Sequence, residues 1–555
     1  MMRILSVSEM RAVELTSDMT GHTYAQMMAL AGQAVARAIL RRVSVRGRRV
    51  LVLVGPGNNG GDGLVAARLL CEAEAHVTVY LARERDPAED AVFRQVCEHG
   101  DARVLTAEAD CGLETLRHLT AQTHVIIDAL LGTGATPPLR GTLAQIIESV
   151  QATLTATRRS TLSSLNGVPK LPPARPYIVA VDGPSGLDFD TGEIAARALK
   201  AHLTVTFAAP KWGHLRFPGA GYVGELTVAD IGIPENIDIP GDGPEMATME
   251  DARAWLPPRP LDAHKGTFGK AMIVAGSVNY PGAAGLAAQA ATRSGAGLTT
   301  LAAPGLIQPA LIALSPETTH IPLPHSMGML DAQAATLLLE KIKGYTALLV
   351  GPGLNRNAET LAFMRRLLGL NSRKRNPGFI PLSDSEETAS PPALSALVID
   401  ADGLNLLSKI EGWPQYLPEG TVLTPHPGEM ARLVGESAEA DAMPRWKLAR
   451  EKAREWGQVV LLKSAFSVVA APDGRAMILP FANPGLSSAG TGDVLAGVIV
   501  ALRAQGLGAF EAAVAGAYVH GLAGEVARQS LGVVGMTASD VLSALPEAWQ
   551  RIAGQ

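Results

Sequence analysis

RVLVLVGPGNNGGDGLVAARLL, residues 49–70, decides how the first half of the chain is read. A short aliphatic run ending at a glycine reads as a buried strand. The glycine-rich stretch after it reads as a loop, and LVAARLL continues at helical spacing. A second aliphatic run, HVTVYLA (residues 76–82), completes a β-loop-α-β unit. Further strands are expected at HVIIDALLGTG (124–134), YIVAVDGPSGLD (177–188), LTVTFAAP (203–210) and GELTVADIG (224–232), with helical stretches among the earlier ones. That alternation predicts a mostly parallel, doubly wound sheet.

The glycines match Gly-x-Gly-x-x-Gly literally, but the polar residues between them do not suit a dinucleotide loop. Such a loop brings bare amides and a helix amino terminus to a pyrophosphate, with an acid on the ribose about 20 residues later. Here Asp62 places a carboxyl there, Pro56 removes an amide, and the next strand ends in ARER (residues 82–85). Open α/β sheets bind ligands at the carboxyl ends of their strands. Four such ends are polar: residues 58–62, Asp128, Asp182 and Lys211. Asn59, Asp128 and Ser185 are hard oxygen donors that suit a cation. The same residues also shape turns through local backbone bonds.

Composition bounds the rest. The 555 residues allow two to four domains, and 47% hydrophobic content with 57 glycines and 4% aromatics suits short loops between aliphatic strands and alanine-rich helices. A net charge of −5 without a long basic run gives no electrostatic reason to expect nucleic acid. Cys71, Cys97 and Cys111 are odd in number and lack Cys-x-x-Cys spacing, so buried or idle thiols are expected rather than a disulfide or zinc site. Charges interrupt the amino-terminal segment, and no apolar run approaches the roughly 18 residues of a membrane span. The reading is a cytoplasmic protein with no membrane partner.

Around residues 234–245 the pattern breaks into proline, glycine and acid, and a second α/β series begins. KAMIVAGS, LTTLAAP, YTALLVGPGLN, ALVIDADGLN, TVLTPHPGE and VVLLKS each set a short strand before glycine, asparagine, aspartate or histidine. FSVVAAPDGRAMILP reads as a hairpin around Asp473 and Gly474. Residues 157–176 and 371–392 read as inserted surface excursions. The expected division is a first domain at residues 1–235, a linker at 236–262 and a second domain at 263–555.

In NPGLSSAGTGDVLAGVIVALRAQG (residues 483–506), Val494, Leu495, Val498, Ile499 and Leu502 form a helical stripe behind Gly490, Thr491 and Gly492. Free amides at that helix start suit phosphate or an oxyanion, and Asp493 is placed to take a hydroxyl proton. The four residues also suit a plain capping turn. HKGTFGKA is not a phosphate-binding Walker loop, because His264 stands where glycine is needed.

GPGNNGGDG, DALLGTG and DGPSGLD, in that order, resemble the amino-terminal domain of the bifunctional NAD(P)H-hydrate repair enzymes, the YjeF family. GTFGKAMIVAGS, SGAGL, GPGLN, DADGLN, TPHPGEM and AGTGDVLAG resemble its carboxyl-terminal domain. The resemblance implies a Rossmann-like doubly wound sheet followed by a ribokinase-like α/β domain. It implies an epimerase for the C6 hydroxyl of hydrated NADH and NADPH, joined to an ADP-dependent dehydratase of the S epimer. In the first domain it implies that Asn58, Asn59, Gly60, Gly61 and Asp62 border the hydrated cofactor. Gly132, Thr133, Gly134, Ala135, Thr136, Pro137 and Pro138 line it, Asp182 contacts it and handles a proton, and Asn59, Asp128 and Ser185 hold K+.

In the second domain the resemblance places Ala283, Gly353, His426 and Asp493 on the hydrated cofactor. Lys463, Ser464, Ala465, Phe466, Ser467, Gly490, Thr491 and Gly492 fall on the nucleotide, with Asp493 as base and Mg2+ screening phosphate charge. The family pattern Lys-Gly-x-x-Thr is replaced by Lys463, Ser464 and Ser467 at its fixed positions, and the Cβ at 464 is expected to restrict the backbone. A homo-oligomer is implied as well. A ribokinase-type small-molecule kinase that keeps phosphate on its product shares the Gly-Thr-Gly-Asp site, and the first half also suits a nucleotide-sensing or partner-binding module.

Overall fold

The computed structural model describes residues 2–134, 138–159, 176–237, 241–370, 396–435 and 443–554. The chain divides into two compact units, Arg3–Gly243 and Pro244–Gln555. The stretch 236–262, read from sequence as a linker, contains the strand Glu245–Met246 and the helix Met249–Trp255, both in the second unit. The inserted segment at 371–392 and most of that at 157–176 lie outside the described residues.

The first unit is built on seven strands in the order Arg103–Thr106, His76–Leu81, Arg49–Val54, Val125–Ala129, Tyr177–Val181, Leu203–Phe207 and Glu225–Ala229. Every neighbouring pair is parallel. Alternation along the strands feeds two cores. Val50, Val52, Val54, Ile127 and Val179 face one side, and Leu51, Leu53, Tyr80, Ile126 and Ile178 the other. Each fully buried aliphatic side chain contributes roughly 1.5–3 kcal/mol, and burial on both faces explains the unbroken apolar runs. The order reverses at Arg49–Val54, so the crevice of this sheet opens at the carboxyl ends of that strand and Val125–Ala129.

The glycine-rich stretch is not a loop. The helix behind the first strand runs Asn58–Glu72, so the two asparagines, the glycines and Asp62 form its opening turns, and all from Asn59 to Gly63 are buried. Close packing overrides glycine's poor helix propensity. A Cβ on Gly60 would lie 2.2 Å from the Gly55 carbonyl oxygen and 2.7 Å from Arg85 Nη2, so only glycine fits. Arg85, from the segment that looked ill-suited to a ribose, braces this turn by donating to Gly55 O (2.6 Å) and Gly57 O (2.9 Å).

The second unit's main sheet runs Glu245–Met246, Ala476–Ile478, Val468–Ala470, Val459–Leu462, Val422–Leu423, Ala396–Ile399, Ala347–Val350, Lys270–Val274, Leu298–Pro304 and Thr319–Leu323. From Val459–Leu462 to Thr319–Leu323 the pairs are parallel, and the expected hairpin supplies the antiparallel strands. Helix Thr491–Ala504 carries no stripe. Val494, Ala496, Val498, Val500 and Leu502 are all buried, because the sheet and the helices Pro281–Arg293 and Ala509–Leu531 enclose it. The three cysteines are free, with Cys97 and Cys111 exposed rather than buried. Among the described residues no helix is long and apolar enough to cross a membrane.

Candidate active sites

In the first unit a cleft of about 640 Å³ opens at the strand ends where the sheet order reverses. Asn58, Asn59, Asp62, Gly132, Thr133, Gly134 and Asp182 line it, with Arg11, Glu14 and Tyr24 from the amino-terminal helices. Gly60 and Gly61 do not line it: the first packs on Gly55, the second on Met28. Pro138 is exposed and outside the cleft lining, while Ala135, Thr136 and Pro137 lie outside the described residues.

Asp182 follows Tyr177–Val181 in a left-handed conformation (φ 62°), a strained state for a non-glycine residue that its surroundings hold in place. Its Oδ1 accepts from Lys211 Nζ at 2.8 Å and from Thr206 Oγ1 at 2.8 Å. The Lys211 ammonium also donates to Thr206 Oγ1 and the Phe207 carbonyl. Burial alone would raise the Asp182 carboxyl, but the Lys211 charge, the His214 ring and the hydrogen bonds from Lys211 and Thr206 together outweigh it and hold the group below the usual carboxylate range. His214 accepts from the Lys211 amide through Nδ1 and donates through Nε2 to the Asp182 carbonyl, the pattern of a neutral ring. Burial, then the Lys211 charge, pushes it down to about 4.

Asp62 behaves oppositely. Burial first, then the Asp182 and Glu14 charges, push it well above the usual range. Burial likewise raises Glu14, against the pull of Lys211. Two carboxyl groups of one cleft are thus shifted in opposite directions, the pattern that separates an acid from a base.

Asp128 and Ser185 lie behind the cleft. Ser185 donates to Asp128 through both its hydroxyl (2.5 Å) and its amide (2.9 Å), and accepts from the Leu131 amide. Both polar atoms of the Asn59 side chain are buried without a hydrogen-bond partner. Gly132 packs against that same side chain. The unpartnered Asn59 amide oxygen, the buried Asp128 carboxylate and the Ser185 hydroxyl are oxygen donors of the kind that suit a monovalent cation.

The second unit has a cavity of about 410 Å³ lined by Tyr280, Ala283, Gly353, Asp402, His426, Glu429, Arg432 and Asp493. Ala283, Gly353, His426 and Asp493, which lie in four separate sequence segments, meet here. The strand ends explain why: Gly353 follows Ala347–Val350, Asp402 follows Ala396–Ile399, and His426 follows Val422–Leu423. Asp493 opens helix Thr491–Ala504 behind Gly490, whose φ of 91° only glycine adopts without strain. Burial, reinforced by Asp400, pushes the Asp493 carboxyl up to about 7.

Lys463 points into this acidic cluster. Its Nζ lies 2.7 Å from Asp400 Oδ1 and 3.9 Å from Glu429 Oε2. Burial would lower it, but Asp400 and Glu429 outweigh that and raise it. A Cβ on Gly492 would meet Lys463 Nζ at 3.4 Å, so the helix start and the lysine share one spot. Ser464, Ala465, Phe466 and Ser467 form a turn closed by the Ser467 hydroxyl, which accepts from the Ser464 amide (3.1 Å) and donates to its carbonyl (2.9 Å). The left-handed residue of this turn is Phe466 (φ 56°), not Ser464, so the missing glycine at 464 imposes no strain there.

Sequence reasoning noted Lys211 as a polar strand end but not its pairing with Asp182, and it missed Glu14, Asp400 and Glu429. The repetition of a strand followed by a lysine, in TFAAPK and VVLLKS, was the available signal.

A family described as NAD(P)H-hydrate dehydratase matches residues 271–547, and one described as YjeF-related protein N-terminus matches residues 24–213. The bifunctional NAD(P)H-hydrate repair enzyme of Moorella thermoacetica is 37% identical over 526 residues, covering 94% of this chain and 91% of its own. Its counterpart from Thermofilum pendens is 35% identical over 560 residues, covering 99% and 96%. Among solved structures, the ADP/ATP-dependent NAD(P)H-hydrate dehydratase of Bacillus subtilis, co-crystallised with ATP and Mg2+, is 28% identical. It covers 57% of this chain and 100% of its own, with a TM-score of 0.45.

Proposed function

The chain belongs to the bifunctional NAD(P)H-hydrate repair enzymes, which join an epimerase domain to a dehydratase domain, and from that membership we propose how its two clefts divide the work. The first inverts C6 of the hydrated cofactor. The hydroxyl on that carbon stands beside the ring nitrogen N1, whose lone pair supports departure of the oxygen as water. Asp62, held protonated, supplies the proton to the leaving hydroxyl, and ionised Asp182 takes one from the water that returns on the other face. Lys211 keeps Asp182 ionised and Thr206 orients it. Asn59, Asp128 and Ser185 would hold K+, whose charge offsets the Asp128 carboxylate and steadies the Asn59 turn. The opposed shifts of Asp62 and Asp182, both of which line one cleft, support this reading most directly.

The second cleft dehydrates the S epimer at the expense of ADP. Asp493 takes the C6 hydroxyl proton as that oxygen receives the phosphoryl group. The amides of Gly492 and Asp493, at a helix start, face the charge that develops. Lys463 neutralises the acidic cluster that would otherwise repel phosphate. Magnesium would arrive with the nucleotide's phosphates and would screen their charge. Ser464, Ala465, Phe466 and Ser467 lie against the nucleotide.

The test incubates the purified full-length protein with each epimer of hydrated NADH, with and without ADP. Consumption of both epimers only when ADP is present supports the reading. A phosphorylated product that persists would favour a small-molecule kinase instead, and no turnover would favour a binding module. Asp182→Ala is expected to lose epimerisation alone and Asp493→Ala dehydration alone, with spontaneous epimerisation measured in a protein-free control.

A further inference from the structure

Dehydration takes two protons off the substrate. One leaves the C6 hydroxyl, and the other must leave C5 for the C5–C6 double bond to form. Asp493 serves the first. His426 looks suited to the second, because its ring lines the cavity and burial, with the Lys463 and Arg432 charges, keeps it below its usual value and so neutral. Its geometry denies it that role. Nδ1 accepts from the amides of Gly428 (3.0 Å) and Glu429 (3.4 Å), capping helix Pro427–Val434. The ring proton therefore sits on Nε2, which faces Glu429 Oε1 at 3.4 Å, and no lone pair is left for substrate.

The other acceptors are committed as well. Asp400 Oδ1 receives Lys463 and Thr424, and the residue does not line the cavity. Asp402 accepts from the Asn355 amide and pairs with Arg356. Glu429 remains: its side chain is 5% exposed, lines the same cavity as Asp493, and has one oxygen fixed by the His426 amide at 2.9 Å. Among the described residues its other oxygen meets only the weak imidazole contact.

We propose that Glu429 is the base that removes the C5 proton, completing the dehydration that Asp493 begins. The inference rests on the reading of this cleft as an ADP-dependent dehydratase. Once the C6 oxygen carries the phosphoryl group and the nucleotide has left as AMP, the C6–O bond breaks and phosphate departs with the electron pair. The N1 lone pair forms N1=C6. The Glu429 carboxylate then takes the C5 proton, the C5–H electrons form C5=C6, and the N1=C6 pair returns to nitrogen. His426 orients the carboxylate through Nε2–H. Burial pushes the Glu429 carboxyl up to about 7, Lys463 opposing and Asp400 adding to the rise, so it is basic enough to accept a carbon-bound proton and ionises near neutrality.

The experiment follows AMP and NADH together in the full-length protein, with ADP and the S hydrate of NADH carrying hydrogen or deuterium at C5. Wild type should form one NADH per AMP over many turnovers, and within a single turnover deuterium should slow NADH formation and not AMP formation. Glu429→Gln keeps an oxygen for the His426 amide. It should form AMP within about threefold of wild type while NADH formation falls about 10²-fold or more, leaving phosphorylated or re-hydrated substrate. One NADH per AMP in the variant, or equal loss of both, would overturn the inference. So would a wild type in which C5 deuterium has no effect on NADH formation even in single turnovers. A wild type that forms neither product would overturn the dehydratase reading itself, and this inference with it.

Discussion

Replacing Lys211 with methionine tests the electrostatic account of the first cleft. The lysine head group donates to Asp182 Oδ1 (2.8 Å), Thr206 Oγ1 (2.9 Å) and the Phe207 carbonyl (3.1 Å), and the residue is 1% exposed. Methionine fills most of the volume but strands the Asp182 carboxylate. Breaking a buried pair by removing one partner costs about 3–5 kcal/mol. The pH dependence distinguishes this cause from poor packing. In wild type the lowered Asp182 value contributes stability that is present above the unfolded carboxylate value of about 3.9 and lost as pH falls through the folded value. In the variant the strongest opponent of burial is gone and only the weaker pull of His214 and the Thr206 hydrogen bond remains, so the folded value should rise above the unfolded one and the folded state bind the extra proton. The deficit should then be largest at alkaline pH and shrink toward pH 5, by up to about 1.4 kcal/mol per pH unit. Hydrogen exchange of amides on Tyr177–Val181 and Leu203–Phe207, in the full-length chain, reads the opening energy of this unit by itself. Epimerisation, read alongside, should fall most near neutral pH, where Asp182 would now be protonated. A deficit below about 1 kcal/mol, or one independent of pH, would refute the reasoning.

Four further outcomes are expected. Asp493→Asn should slow AMP formation from ADP and the S hydrate about 10²–10⁴-fold and leave epimerisation intact. Because Asp493 acts ionised and its carboxyl is raised to about 7, wild-type AMP formation should fall as pH drops below that value, and a flat profile to acid pH would contradict its role as base. Exchanging K+ for a bulky organic cation should slow epimerisation but not dehydration in wild type, whereas Asn59→Ala should be slow in either buffer. Gly60→Ala should destabilise the first unit by about 1–3 kcal/mol, seen as faster hydrogen exchange along Asn58–Glu72, since its Cβ would press on backbone.

Much of this architecture was legible in residue order. Aliphatic runs of four to seven residues ending in glycine or a polar residue located the strands Arg49–Val54, Val125–Ala129, Tyr177–Val181 and Ala396–Ile399. Strands Arg103–Thr106 and Thr319–Leu323 were not, because each sits at a sheet edge where one side is open and polar residues interrupt the pattern. The opening turns of Asn58–Glu72 ran against propensity: glycine discourages helix unless neighbours press too close for any side chain, and that pressure comes from Gly55 and Arg85. Asp182 and Asp493 could be picked out by their place after strand or turn. Their ionisation could not, since it depends on Lys211 and Asp400, which lie 29 and 93 positions away in the chain and meet them only through the fold.

Each unit ties two strand ends together with a lysine clasped to an aspartate, Lys211 to Asp182 and Lys463 to Asp400. An ε-amino group that is buried, like that of Lys211, or held by a carboxylate in a part-exposed site, like that of Lys463, reacts slowly with acylating reagents, so these two should label late as native protein is titrated with an amine-reactive probe. Lys211 would react only when its strands part, and Lys463 would be shielded further once nucleotide fills the neighbouring turn. Mass spectrometry of the two peptides would then time the opening of each catalytic half within a single sample.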